Sequence, residues 1–196
     1  MKIELPNSFE DLTIKDLVTL HTSTSDEVCL INLCGINRED LLTLPKRLLD
    51  EAYEHLKDLR SQESGQHLTR LTLDGKPYGF INDWEAFSFG EYIDMTTYAE
   101  DVYANATKMM ALLYRPIVID RGDTYTIEPY TTKENHLIFE AAPATLFGGA
   151  MLFFCNSKRR LLSSLRVSLQ QTITQVSLAK SGDGIQLSTP LQMKTS

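Results

Sequence analysis

Apolar residues recur at three- and four-residue steps along three stretches of the first sixty positions, the period of an amphipathic helix. In the first stretch Ile14, Leu17, Val18 and His21 share one face. Thr13 followed by Asp16 supplies a capping-box pair that opens this helix. Thr24 with Glu27 repeats the signature ahead of Val28, Cys29, Ile31 and Leu33, and Gly35 fits the left-handed position where helices end. The third stretch, Leu44 to Arg60, carries Leu48, Leu49, Ala52, Tyr53, Leu56 and Leu59, with Pro45 in a first turn that needs no N–H. The pattern predicts three helices joined by short connections.

Other stretches alternate. Met1 to Leu5 reads as a short edge strand stopped by Pro6. Leu68 to Leu73 and Tyr78 to Ile81 read as a hairpin, because Asp74-Gly75 suits a type I′ turn. A long helix is expected from Thr97 to Tyr114, with Val102, Ala106, Met109 and Leu113 inward and Glu100 and Asp101 at its positive end. Arg115-Pro116 should stop it, since a residue before proline avoids the helical region. Arg121-Gly122-Asp123 reads as a tight turn. Tyr125 to Tyr130 reads as a strand, with Leu137 to Glu140 as its partner or as the start of a helix.

The last third begins with an apolar helix, Ala144 to Cys155, interrupted by Gly148-Gly149, which implies close packing. A second helix is expected to about Gln171. The expected fold is therefore α+β and predominantly helical. The core is expected to hold Leu49, Leu56, Val102, Met109 and Leu113. Residues 1–171 should form a single globular domain. From Thr172 the composition shifts to Ser, Thr, Gln and Gly, so 172–196 is expected to be extended or ordered by a partner. Val176, Leu178, Ile185 and Leu187 are its candidate docking residues.

Charge narrows the function classes. The 196 residues carry a net charge of −7, which disfavours contact with nucleic-acid phosphates. The short basic cluster Lys158, Arg159, Arg160 and Arg166 reads as a solvated helix face. The first ten residues lack a signal-peptide pattern, and the longest apolar run, Leu146 to Cys155, is too short to span a bilayer as a helix. Cys29 and Cys34 have four residues between them but no second Cys or His pair at zinc spacing, so with Cys155 they read as reduced core thiols.

Catalytic chemistry finds little support. His21, His55, His67 and His136 have no metal-ligand spacing to one another or to a cysteine, and His55 and His67 read as surface residues. No nucleophile elbow, phosphate-binding glycine loop or zinc-protease motif is present. Asp83, Glu85, Glu91 and Asp94 read as a solvated acidic surface. Interleaved with them, Trp84, Phe87, Phe89 and Tyr92 are candidate interface anchors. No catalytic residue, cofactor or metal ligand is assigned.

Three segments carry a family resemblance. Phe89-Gly90-Glu91-Tyr92-Ile93-Asp94, then Met109 to Ile117 with its Arg115-Pro116, then Tyr125 to Tyr130, together resemble a pattern in small structural and assembly proteins of tailed bacteriophages. The tail-assembly-chaperone and baseplate-hub-assembly types are the nearest likeness, over roughly residues 10–155. The resemblance implies a non-enzymatic virion assembly or structural protein at the tail, baseplate or portal-proximal region. Its partners would be other phage structural proteins in a homo- or hetero-oligomer, without a membrane, in the virion or in the bacterial cytoplasm during assembly. The alternatives are a phage-encoded binding module that regulates a host protein, and an enzyme with an acidic site around Asp83 to Asp94.

Overall fold

A computed structural model describes residues 4–62, 64–81, 87–131 and 136–155. The chain divides into two units, Met1–Phe154 and Cys155–Ser196. The second lies, beyond Cys155, outside the described residues. So do the expected helix to Gln171, the basic cluster, the domain boundary at 171/172 and the tail residues Val176, Leu178, Ile185 and Leu187.

Helix α1 spans Ile14–Thr22, and Thr13 caps it as expected: its hydroxyl accepts from the Asp16 N–H while the Asp16 carboxylate accepts from the Thr13 N–H. Helix α2 spans Asp26–Cys34 and ends on Gly35 at φ +62°. Its cap is Ser25 rather than Thr24, and Glu27 pairs instead with Arg38 at 2.9 Å. A helix unforeseen in the pattern follows, α3, Arg38–Leu42, capped by Asn37. Helix α4 spans Lys46–Ser61, with Pro45 just outside its first turn. Arg60 fastens these helices together: it donates to the Leu20 carbonyl at 3.0 Å and to Asp26 at 2.6 Å, so α4 holds the end of α1 and the start of α2.

The Asp74-Gly75 turn forms as expected, with both residues at positive φ, and joins β1, Arg70–Leu73, to β2, Lys76–Phe80. The sheet continues through β3, Tyr114–Asp120, to β4, Tyr125–Ile127, antiparallel throughout in the order β1-β2-β3-β4. The partner of β4 is thus β3, across a turn closed by Gly122 at φ +82°, and not the segment Leu137–Glu140. That segment instead contributes to a 3-10 turn, His136–Phe139. Glu4 and Leu5 are outside any strand, and residues 1–3 of the expected edge strand lie outside the described residues.

The helix expected from Thr97 to Tyr114 is shorter than expected, and a helix unforeseen in the pattern precedes it. Helix α5, Phe89–Tyr98, passes into a 3-10 turn, and α6, Ala106–Leu113, starts afresh. Between them the Asp101 carboxylate accepts from the Ala104 N–H and the Asn105 amide donates to the Asp101 carbonyl. Such local side-chain bonds compete with the helical ladder. Six of the eight residues of α6 are buried, as suits a helix at the centre of a core. It packs against α1, α5 and the 3-10 turn at His136–Phe139. Leu56, Met109 and Leu113 are enclosed as expected, whereas Leu49 and Val102 are only half-buried at the margin.

Residues 144–155 form the last helix among the described residues, α7. Its glycines pack closely as expected, but against the extended segment 64–67 and not another helix. A β-carbon on Gly148 would lie 2.5 Å from the Ser64 carbonyl oxygen, and one on Gly149 would overlap the Gln66 backbone. A two-way stitch, Ile14 N–H to Ala142 carbonyl and Ala144 N–H to Leu12 carbonyl, both 2.8 Å, ties the start of α7 to the start of α1.

Candidate interaction surface

Helix α5 opens with Ser88, whose hydroxyl accepts from the Glu91 N–H at 3.2 Å while the Glu91 carboxylate accepts from the Ser88 N–H at 2.6 Å. This reciprocal cap satisfies two of the donors that every helix start leaves unpaired. It also fixes the rotamer of Glu91. The carboxylate's other oxygen then meets the Arg115 guanidinium at 2.9 Å, with the two side chains only 5 % and 7 % exposed. One acid thus caps α5 and anchors it to β3.

A second tie lies one turn along. The Tyr130 hydroxyl donates to the Asp94 carboxylate. Three segments distant in sequence, around Glu91 and Asp94, Arg115 and Tyr130, are thereby brought together. Of the four acids expected to form a solvated surface, Glu91 is buried and Asp94 half-buried, because each has a partner on a segment distant in sequence. Asp83 and Glu85 lie outside the described residues.

With Glu91 turned inward, the opposite side of α5 presents its apolar residues to solvent. Phe89 is 78 % exposed, Tyr92 54 % and Ile93 44 %. Phe89, Tyr92 and Ile93 stand three and four residues apart and form one stripe. Of the expected interface residues, Phe89 and Tyr92 therefore share an exposed face. Phe87 is half-buried and packs on the core, and Trp84 lies outside the described residues. Ile93 was absent from the expected set. The Ser88-to-Glu91 spacing is the signal that predicts α5 and hence this stripe. The neighbourhood is acidic: between Lys76 and Lys108 the sequence has six acids and no lysine or arginine.

The remaining candidates for chemistry have structural places. His55 makes a 2.7 Å hydrogen bond with the Pro6 carbonyl, and His21 stacks on Tyr103 with ring centroids 3.7 Å apart. His67, expected at the surface, is half-buried: its ring stacks on Phe153 at 4.1 Å and meets the edge of Phe80 at 4.4 Å, and its Nδ1 is buried without a partner. Burial lowers its pKa. The cysteines are free, but only Cys29 is buried; Cys34 is half-buried and Cys155 exposed, which corrects the expectation of three core thiols. Among the described residues no three His, Cys, Asp or Glu side chains gather so as to hold a metal ion, and no helix is long and apolar enough to cross a membrane.

In comparisons with known proteins, no family model, no curated protein and no solved structure matches this chain.

Proposed function

We propose that this protein is a non-enzymatic assembly or structural component of a tailed bacteriophage, at the tail, baseplate or portal-proximal region, and that it docks other phage structural proteins on the outer stripe of α5. The observation that carries the docking reading is the inversion of this helix: it turns a glutamate inward and a phenylalanine outward. Covering an exposed phenylalanine side chain is worth about 1.5–3 kcal/mol, so leaving Phe89 in water forgoes a sizeable stabilisation unless a partner covers it. Aromatic side chains of this kind are favoured anchors in protein interfaces. The buried Glu91–Arg115 pair supplies the rigid mounting that such an anchor needs.

The assignment to a phage assembly rests on the resemblance of Phe89–Asp94, Met109–Ile117 and Tyr125–Tyr130 to tailed-phage assembly proteins. Glu91, Arg115, Asp94 and Tyr130, which link these segments, all belong to that pattern. The working form would be one copy in a homo- or hetero-oligomer, in the virion or in the bacterial cytoplasm during assembly.

Co-expression with tail, baseplate and portal-proximal proteins, followed by size-exclusion chromatography, tests the reading. The wild-type chain should co-elute with one of them, and Phe89→Asp with Tyr92→Asp should abolish co-elution. The Asp at position 89 falls in the first turn of α5, where the helix dipole favours it, so the fold should persist. A chain that stays monomeric with all of them, and is missing from purified virions, would refute the phage reading and favour a regulator of a host protein.

A further inference from the structure

Strand β1 is an edge: among the described residues it pairs with β2 alone. The two-residue Asp74-Gly75 turn makes Leu73 and Lys76 a hydrogen-bonded pair, and the bonds then fall on alternate residues. The Phe80 N–H bond to the Thr69 carbonyl at 2.9 Å fits the same register. Leu71 and Leu73 therefore point their backbone groups at β2. Arg70 and Thr72 point theirs outward, where an extended chain could meet them.

A cleft of about 490 Å³ lies beside β1, and Leu71, Thr72 and Leu73 all line it. Pro143, Thr145 and Leu146, at the start of α7, line it as well. Leu68, 42 % exposed, adds a further apolar side chain. Glu10 is the one charged residue in the described lining, and its carboxylate accepts from the Ser64 hydroxyl at 3.0 Å. A strand beside a helix, with leucines between them and unpaired main-chain groups on the strand, is the arrangement in which an added strand gains main-chain hydrogen bonds and side-chain pockets together.

We propose that the β1 edge docks an extended segment of a basic partner protein, which adds to the sheet as a fifth strand, seats alternate apolar side chains against Leu68, Leu71, Leu73 and Leu146, and places a lysine or arginine at Glu10. Charge selects this occupant over a second copy of the chain. Each copy carries −7, so two copies repel, whereas a basic strand is attracted both by the whole surface and by Glu10. The site is separate from the α5 stripe, so the inference stands whether or not that stripe docks phage proteins.

The probe is a blocked synthetic peptide that alternates valine with serine and carries one lysine at each end, titrated into the full-length chain and followed by amide NMR. The Arg70 and Thr72 amides should shift, together with those of residues 64–68 and 145–146. The same peptide N-methylated at alternate residues should bind more weakly. Thr72→Pro removes one outward N–H and leaves the bonded pairs with β2 in place, a substitution that edge strands tolerate. Loss of one such hydrogen bond should weaken binding by about three- to tenfold. Glu10→Gln should weaken the lysine peptide and leave a lysine-free version unchanged. Equal binding of the N-methylated peptide would overturn the proposal even if Thr72→Pro fails to fold. So would unshifted Arg70 and Thr72 amides, and so would a homodimer that the added peptide does not dissociate.

Discussion

Arg115 on β3 holds Glu91 on α5 at 2.9 Å with both side chains almost fully enclosed, so the helix carrying the exposed aromatic stripe is anchored by a buried ion pair. The Arg115 Nε is buried without a partner, so this guanidinium depends all the more on its contact with Glu91. Removing one member of such a pair leaves the other charge buried alone, which costs about 3–5 kcal/mol. Arg115→Ala should therefore lower unfolding free energy by about that amount in urea denaturation. Arg115→Met combined with Glu91→Leu should lose less than Arg115→Ala alone, because no unpaired charge remains. Equal losses would mean that the pair matters only through packing.

Leu56 on α4 is fully enclosed, whereas Leu49, two turns earlier, is half-buried at the core's edge. Leu56→Ala should cost about 2–5 kcal/mol, through lost transfer energy and a residual cavity. Leu49→Ala should cost visibly less. Chemical denaturation of the two variants side by side checks the order, and a reversed order would contradict the placement of α4.

Gly149 faces the Gln66 and His67 backbone so closely that a β-carbon has no room, and the obstructing atoms are main chain, which cannot swing aside. Gly149→Ala should destabilise the protein by about 1–3 kcal/mol despite alanine's better helix propensity. An increase in melting temperature would show that segment 64–67 yields easily.

His67 sits between Phe80 and Phe153, and burial holds its imidazole below the ordinary value near 6.5. The unfolded chain then binds this proton more readily than the folded one, so stability rises with pH between the lowered folded value and the ordinary one. The contribution is complete above about pH 6.5 and is lost as the pH falls through the folded value. His67→Phe retains the ring stacking and should flatten that part of the profile. Melting temperatures from pH 8 down to about 5 in both proteins decide it, and parallel profiles would count against His67 as the source.

Signals that act over a few residues were legible in the chain itself. Thr13 with Asp16 started α1, Gly35 closed α2, Asp74-Gly75 turned the first hairpin, and the spacing of Leu56 and Leu59 marked the inner face of α4. The α+β class followed from these signals, because each is closed by bonds or steric limits between neighbours in sequence. Local competition misled at Asp101 and Asn105, whose side-chain bonds interrupt the start of the expected helix, so that α6 begins only at Ala106. Tertiary structure alone decided which acid goes inside. Glu91 and Asp94 share one helix, but only Glu91 faces Arg115, and that pairing turns Phe89, Tyr92 and Ile93 toward solvent. Tertiary structure also drew His67 partly inside, against Phe80 and Phe153 on distant elements, and made β1 an edge strand. Side-chain burial is a property of everything that packs around a residue, and the neighbours that enclose Glu91 and His67 come from segments that only the folded chain brings near.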